Sequence, residues 1–187
     1  TQWPPEGQRA EIRYYTIRRL DVASGEIDID FLLHEAPGPG GDFARRARPG
    51  DVCGMAGPYG RGVAEAAHYL LAGDETAIPA IARLLETLPA SARVEAWLEV
   101  ESPIDALELP VPDHCDVRWR YRCRGHAPSE QLASAVVEAM PAARDDLFVW
   151  FAGEADVSQR LRKRLKQEFG LQKGQHLVTG YWKRESA

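Results

Sequence analysis

Two short segments of the chain combine glycine with acidic residues directly after apolar runs. They are Gly73-Asp74-Glu75-Thr76 and Ala152-Gly153-Glu154. A glycine lets a ligand approach the backbone, and a carboxylate accepts hydrogen bonds from ribose hydroxyls or from an amide. The helix predicted after each segment would offer backbone N–H groups to an anion. The alternative is a tight turn between strand and helix, in which the carboxylate only caps the helix.

A second set of candidate binding residues lies near the start of the chain. Alternation along a strand puts Arg13, Tyr15 and Ile17 on one face and Thr16 on the other. A cation beside an aromatic ring and a hydroxyl suits a ring cofactor that carries phosphate. The glycine-rich residues 38–41, before a short predicted helix, would offer N–H groups to a pyrophosphate. The alternative is an exposed strand followed by a Pro-Gly turn.

The cysteines and histidines near residue 120 do not predict a metal site. Cys115 and Cys123 lie beside His114 and His126, but apolar and charged residues alternate between the two cysteines. That alternation predicts a strand with one buried face, on which the cysteines would be about 26 Å apart. They can neither pair nor share one metal ion. The sequence therefore predicts that these residues bind no metal. The cysteines are expected to be free thiols in a reducing cytoplasm.

The elements that would position these residues change in type along the chain. Over the first sixty residues, a short β-rich run predicts a strand over 12–18, and an alternating run predicts one over 26–33. A short helix is predicted over 42–47, and a further strand over 51–56 after a Pro-Gly turn. From residue 66 onward, apolar runs alternate with amphipathic segments. Strands are predicted over 68–72, 93–100, 116–121, 147–152 and 177–181, and helices over 77–88, 130–140 and 156–169.

Strands that alternate with helices predict a parallel, doubly wound α/β sheet, in which ligands bind beyond the carboxyl ends of the strands. Thr76 is the predicted cap of the first helix in this part of the chain. No Gly-x-Gly-x-x-Gly sequence follows the first of these strands. Its absence counts against an ordinary Rossmann dehydrogenase.

Composition limits the classes of function. The chain has 187 residues, 23 Lys+Arg against 28 Asp+Glu, and a formal net charge of −5. Without an excess of positive charge, a nucleic-acid partner is not expected. No apolar run approaches the roughly 20 residues of a membrane-spanning helix, and the first residues show no signal-peptide pattern. A cytoplasmic protein that binds small molecules is the expectation.

Seven short motifs, in order along the chain, resemble those of the siderophore-interacting protein family. These proteins are flavin-dependent ferric-siderophore reductases of the ferredoxin-reductase superfamily. The motifs are Arg13-x-Tyr15-Thr16-x-Arg18, His34 before a Gly-Pro loop, Pro49-Gly50-Asp51, Gly57-Pro58-x-Gly60, Gly73-Asp-Glu-Thr-Ala-x-Pro-Ala80, Ala152-Gly153-Glu154 and Gly180-Tyr181-Trp182. Each motif is short, and the likeness depends on their order and spacing.

The resemblance implies two domains. Residues 1–63 would be the C-terminal part of an antiparallel β-barrel that binds FAD. Residues 64–187 would be a ferredoxin-reductase-like α/β domain with a parallel doubly wound sheet that binds NAD(P)H. Family members have more barrel strands before the Arg-x-Tyr-Thr motif than the 12 residues that precede it here can form. The barrel is therefore expected to be incomplete on its N-terminal side.

The resemblance also implies a role for single residues. Arg13 would bind the FAD phosphates, Tyr15 would pack on the isoalloxazine ring, Thr16 would bond near its N5, and His34 would contact the flavin nucleotide. Tyr181 and Trp182 would lie where the nicotinamide enters, unless they are a core pair that closes the sheet. The complete set of implied cofactor-binding residues is Arg13, Tyr15, Thr16, Ile17, His34, Gly40, Gly41, Ala44, Gly73, Asp74, Glu75, Thr76, Ala152, Gly153, Glu154, Tyr181 and Trp182.

The implied reaction passes a hydride from NAD(P)H to FAD, and then single electrons to iron(III) held by a siderophore. Lys183 and Arg184 are the candidate contacts of an anionic siderophore, and no side chain is assigned a catalytic role. Two alternatives stay open. The first is a truncated, non-catalytic module that binds nucleotides or another protein. The second is a flavin reductase with another electron partner, such as ferredoxin. The sequence does not fix the oligomeric state.

Overall fold

The computed structural model divides the chain into two compact units, Thr1–Tyr59 and Gly60–Ala187. The predicted domain boundary after residue 63 stays a prediction. His34, Cys123 and His126 lie outside the described residues, so the structure provides no test of the expectations that involve them. The described residues are 11–33, 38–60, 62–122 and 127–184.

A short hairpin begins the first unit. Strand β1 (Ile17–Asp21) pairs antiparallel with strand β2 (Glu26–Ile29). The Asp21 carboxylate accepts hydrogen bonds from two backbone N–H groups of the turn, at 2.9 and 3.2 Å. Gly25 takes the positive φ of 72° that the turn requires. The alternation of apolar and acidic residues thus correctly predicted a strand, but β2 ends at Ile29 and does not reach residue 33.

The hairpin is shorter than the sequence predicted. Residues 11–16 form no strand, so Arg13, Tyr15 and Thr16 precede β1, and the expected two faces do not exist there. Residues 51–56 form no strand either. A strand needs a neighbour that satisfies its backbone groups, and alternation in one short segment does not reveal whether that neighbour exists.

Helix α1 (Pro39–Arg46) follows the hairpin. The predicted glycine-rich turn is therefore the first turn of this helix, with Pro39 at a position where its missing N–H costs nothing. Phe31 lies between two other rings, with centroid distances of 4.5 Å to Tyr15 and 6.4 Å to Phe43. Among residues 11–33 and 38–60, none is fully buried.

The second unit contains a five-stranded sheet in the order β5-β4-β3-β6-β7, and all of its strands are parallel. This agrees with the predicted doubly wound α/β architecture. The central strands β3 and β6 are apolar on both faces because helices cover both. The strands are β3 (His68–Asp74), β4 (Arg93–Val100), β5 (Cys115–Tyr121), β6 (Leu147–Glu154) and β7 (His176–Trp182).

Three helices cover the two faces of this sheet. Helix α2 (Ile78–Thr87) packs through Ile81 and Leu85 on the face that carries Leu71 and Trp150. Helices α3 (Glu130–Glu138) and α4 (Ala155–Gln167) pack on the opposite face. That face carries Leu70, Trp97 and Phe151.

The start of α2 differs from the prediction. Ala77, not Thr76, is the residue before the first helical turn, and no side chain caps this end. The Thr76 hydroxyl instead donates to Asp74 Oδ1 at 2.5 Å. Among the described residues, no helix is long and apolar enough to cross a membrane.

Candidate functional site

The carboxyl ends of the five parallel strands lie along one edge of the sheet. Chain order reverses between the central strands β3 and β6, which pair directly while their next neighbours lie on opposite sides. Such a reversal opens a crevice that binds ligands in doubly wound sheets. The predicted segments Gly73–Thr76 and Ala152–Glu154 both end at this crevice.

Asp74, the last residue of β3, is 1% exposed and accepts four hydrogen bonds. Its Oδ1 accepts from the backbone N–H and the hydroxyl of Thr76, at 3.1 and 2.5 Å. Its Oδ2 accepts from Ser129 Oγ at 2.9 Å and from the Trp182 indole Nε1 at 2.8 Å. The carboxylate thereby joins the first crossover to the end of β7.

Ser129, in the turn before α3, connects the ends of three strands. Its backbone N–H donates to Glu99 Oε1 at 2.8 Å, and its hydroxyl accepts from the Glu154 N–H at 3.1 Å while donating to Asp74. Ser129 has a φ of 67°, in the left-handed region that non-glycine residues seldom adopt. Asp74, Thr76, Glu99, Ser129, Glu154 and Trp182 are called here the carboxyl-edge network.

Burial shifts the acid strengths in this network. The pKa of Asp74 is raised because its carboxylate is desolvated, although the hydrogen bonds from Thr76, Trp182 and Ser129 offset part of the shift. Desolvation also raises the pKa of Glu99, whose Oε2 has no hydrogen-bond partner among the described residues. Two buried carboxyls close to a ligand crevice are typical of functional sites, but structural networks produce the same shifts.

The glycines of the predicted segments serve close packing within the protein. A Cβ on Gly73 would lie 2.5 Å from Ala77 Cβ, and one on Gly153 would lie 2.5 Å from Ser129 Oγ. Other residues of the protein therefore fill the space beside each glycine. The sequence had instead predicted that these glycines let a ligand approach the backbone.

Glu154 caps α4, as the alternative interpretation of its segment had it. One carboxylate oxygen accepts from the N–H groups of Asp156 and Val157, at 2.8 and 3.0 Å. Burial raises the pKa of Glu154, but these N–H groups and that of Arg184 outweigh it, so the net shift is downward. An anionic ligand at this helix terminus would have to displace a carboxylate that already occupies it.

A second cluster of charged side chains surrounds Arg122, which directly follows β5. Its guanidinium pairs with Glu75 and, at 2.9 Å, with Glu101, and it lies 3.7 Å from Glu99. Burial lowers the pKa of Arg122, but the hydrogen bonds to Glu75 and Glu101 raise it by more. The net shift is upward, so the guanidinium stays charged. Glu75, predicted to bind a cofactor, is thus engaged in an ion pair.

The end of β7 carries the remaining predicted residues of this unit. The Tyr181 ring meets Trp150 edge-on, with centroids 6.3 Å apart, and is 44% exposed. Burial and the nearby Asp74 charge raise the pKa of Tyr181. Lys183 and Arg184 are exposed, and the Arg184 N–H donates to Glu154 Oε1 at 3.4 Å.

Three residues of the crevice were missed by sequence reasoning. Ser129 precedes Glu130 at a helix start, a pattern that predicts an ordinary cap, yet its hydroxyl bonds to Asp74 instead. Glu99 carried a usable signal, because it is an acidic residue within an apolar strand. Arg122 carried none, since arginines occur throughout that segment.

The predicted cofactor residues of the first unit lie around the start of α1. The Tyr15 hydroxyl lies so close to Gly40 that an added Cβ would be 1.8 Å from it, and Tyr15 is 42% exposed. Among the described residues, no side-chain hydrogen bond caps the start of this helix. Arg13 is exposed and pairs with Glu11 at 3.2 Å. A guanidinium, a half-exposed ring and an uncapped helix start fit a phosphate-bearing aromatic cofactor.

Comparison with protein families agrees with both units. The model described as "Siderophore-interacting FAD-binding domain" matches residues 1–62, and the model described as "Siderophore-interacting protein" matches residues 66–185. The chain belongs to the siderophore-interacting protein family. The resemblance inferred from its motifs is thereby confirmed.

Individual members of the siderophore-interacting protein family are similar over most of this chain. The ferric vibriobactin reductase ViuB of Vibrio cholerae is 33% identical over 175 residues, which cover 92% of this chain and 64% of ViuB. The siderophore-interacting protein SipS from Aeromonas hydrophila has a TM-score of 0.81 and 30% identity, over 96% of this chain and 76% of SipS. A siderophore utilization protein from T. fusca has a TM-score of 0.80 and 41% identity, over 94% and 67%.

The comparisons confirm an FAD-binding domain at the N-terminus, and the parallel five-stranded α/β sheet that follows is consistent with a ferredoxin-reductase-like domain. The closed barrel, its incompleteness and the roles of single residues stay predictions.

Proposed function

We propose that this protein is an FAD-dependent reductase that uses NAD(P)H to reduce ferric siderophores and release iron(II). The observation that carries the proposal is the match of residues 1–62 to a siderophore-interacting FAD-binding domain. The similarity to ViuB, a ferric vibriobactin reductase, supports the same reaction class.

FAD, when bound, accepts a hydride and returns its electrons one at a time. The residues that would hold it are Arg13 for a phosphate, Tyr15 for the ring system, and the Gly40 and Gly41 N–H groups for the pyrophosphate. Thr16, Ile17 and Ala44 are the remaining described residues of this proposed site. Backbone N–H groups at a helix start suit a phosphate because they need no counter-charge from side chains.

The crevice at the carboxyl edge of the sheet is the proposed site of the nicotinamide. Trp182 is partly exposed there, and Tyr181 presents a half-exposed ring beside it. Gly73 and Ala152, together with the carboxyl-edge network, would form the rigid floor against which the ring is placed. Glu75 is the least suited of the predicted contacts, because Arg122 binds it.

Electron balance fixes the overall reaction. One NAD(P)H supplies two electrons and, with two iron(III) centres, yields NAD(P)⁺, one proton and two iron(II). Siderophores bind iron(III) through hard oxygen donors that hold iron(II) far more weakly, so reduction releases the metal. Lys183 and Arg184 are the proposed contacts of the anionic ligand, because both are exposed at the end of β7.

The test starts from purified protein titrated with FAD. Flavin absorbance should appear with saturable binding, bleach when NADH or NADPH is added without oxygen, and return when a ferric siderophore follows. An iron(II) chelator should then report the released metal. A protein that takes up no FAD would contradict the proposal.

Charge-matched variants separate the proposed siderophore contact from general charge effects. Lys183→Ala with Arg184→Ala should raise the KM for a ferric siderophore, whereas Lys163→Ala with Lys173→Ala should not. The control lysines are also exposed and lie in the same unit. An equal rise in KM for both pairs would contradict a specific role for residues 183 and 184.

A further inference from the structure

The Trp182 indole is hydrogen-bonded to Asp74, a residue to which the proposed reaction assigns no chemical step. Its Nε1–H donates to Asp74 Oδ2 at 2.8 Å, although the two residues are 108 positions apart in the chain. Thr76 and Ser129 in turn hold the same carboxylate from the first crossover and from the start of α3. The position of the indole thus depends on three separate parts of the α/β unit.

Asp74 is suited to this contact because each of its oxygens faces a group that can only donate. Oδ1 faces the Thr76 backbone N–H, and Oδ2 faces the indole N–H. A side-chain amide would place an NH₂ group against one of these two N–H groups, whichever way it turned. The arrangement therefore requires a carboxylate at position 74.

The pairing of β6 with β7 is adjusted to bring Trp182 to this carboxylate. Gly153 pairs with Gly180, but the next pair joins Glu154 to Trp182, so Tyr181 is an extra residue in β7. An extra residue of this kind reverses which side chain points to which face of the sheet. The same strand end is attached once more where the Arg184 N–H bonds to Glu154.

We propose that Asp74 is a positioning residue for the end of β7: through the indole N–H of Trp182, it holds the Tyr181–Trp182 pair and the following Lys183–Arg184 segment at the crevice. The consequence for catalysis rests on the proposed reductase function. The contact itself does not, so the two can be tested separately.

The contact is tested by the indole N–H signals in a ¹⁵N–¹H spectrum. Trp182→Phe identifies the signal by removing it, and Asp74→Asn should shift that signal and speed its exchange with solvent by about tenfold, the usual value of a hydrogen bond to a charged group. The matched control is Trp119, which is partly buried in β5 and has no hydrogen bond recorded for its indole among the described residues. Its signal should not change.

A measurement on the unaltered protein covers the case in which Asp74→Asn does not fold. The Trp182 indole N–H should exchange with solvent about tenfold more slowly than that of Trp119, since only the first is hydrogen-bonded. Equal exchange rates, or a Trp182 signal that Asp74→Asn leaves in place, would overturn the proposed contact.

The catalytic consequence is tested with FAD-loaded protein by following flavin bleaching with NAD(P)H. Asp74→Asn and Trp182→Phe should each slow the bleaching about tenfold, and the double variant should be no slower than the slower single variant, because both remove the same bond. Trp119→Phe should leave the rate unchanged. Losses that multiply in the double variant would overturn the positioning role. A protein that never reduces its flavin would overturn the reductase function while the indole signals still decide the contact.

Discussion

The two units of this protein are stabilised in different ways. The α/β unit has apolar side chains buried on both faces of its sheet, among them Leu71 on one face and Trp97 and Phe151 on the other. In the first unit, no residue of 11–33 and 38–60 is fully buried, and its three neighbouring rings, Tyr15, Phe31 and Phe43, remain partly exposed. The comparison indicates that the α/β unit provides its own core, and we expect the first unit to gain stability from what binds it. The proposed FAD is one such source, because a ligand stabilises the state that binds it.

The largest expected effect is the loss of a core side chain. Phe151→Ala should lower the free energy of unfolding by about 3–5 kcal/mol, because Phe151 is fully buried in β6. Phe43→Ala in the first unit should cost less than about 1 kcal/mol, since that ring is already partly exposed. Urea unfolding followed by circular dichroism measures both. Equal losses would remove the distinction between the units.

The carboxyl-edge network predicts the next effect. Ser129→Ala should cost about 1–3 kcal/mol, because Asp74 and the Glu154 N–H both lose a partner in a buried site. Ser129→Gly should cost less than Ser129→Ala, because glycine accepts the φ of 67° without strain.

Ser24→Ala is the control for this prediction in the first unit. Its hydroxyl donates to the exposed Glu26 carboxylate at 3.2 Å and also bonds to Asp21 at the surface, so the change should stay within about 0.5 kcal/mol. An Ser129→Ala protein as stable as Ser24→Ala would show that the network contributes nothing to the stability of the α/β unit.

Adding one methyl group at a glycine should also affect the stability of the two units differently, because only the α/β unit is closely packed. Gly153→Ala should cost about 1–3 kcal/mol, since its Cβ would lie 2.5 Å from Ser129 Oγ and must displace it. Gly54→Ala, whose Cβ meets nothing within 4 Å, should stay within about 0.5 kcal/mol. Thermal unfolding of both variants checks the difference, and a neutral Gly153→Ala would mean that the crevice floor is not closely packed.

The smallest expected effect is a pH dependence of opposite sign in the two units. Burial raises the native pKa of Asp74 above its ordinary 3.8, so its contribution to stability is complete below that value and is lost as pH rises through the native pKa. The hydrogen bond from Arg19 lowers the pKa of Asp28, so its contribution is present above the ordinary value and is lost as pH falls through the native pKa.

Unfolding free energies from about pH 3 to pH 7 check these signs. Wild type should lose stability relative to Asp74→Asn as pH rises, and should lose stability relative to Asp28→Asn as pH falls. Added salt should weaken only the Asp28 effect, because that carboxylate is exposed. Differences with the same sign would contradict the environments assigned to these two carboxylates.

What the sequence could predict also differs between the units. Continuous apolar runs and amphipathic spacing located every strand and helix of the α/β sheet, because a buried element constrains its whole length. In the first unit, the strands predicted over 12–16 and 51–56 do not form, since a short segment does not reveal whether a neighbouring strand exists. Short motifs identified the family before any contact was known.

The site was predicted as a set of residues but not as a network. Gly73, Asp74, Gly153 and Trp182 do meet at one crevice, because parallel strand ends share an edge. Their partner Ser129 could not be foreseen, since it lies in a crossover turn and its role depends on a backbone conformation that no local pattern encodes.

The most direct test of the central claim counts iron(II) released against NAD(P)H oxidised, without oxygen, by FAD-loaded protein supplied with a ferric siderophore. The proposed reaction predicts two iron(II) for each NAD(P)H, and no iron(II) when FAD is left out. NAD(P)H oxidation without iron(II) release, or iron(II) release that does not require FAD, would contradict it.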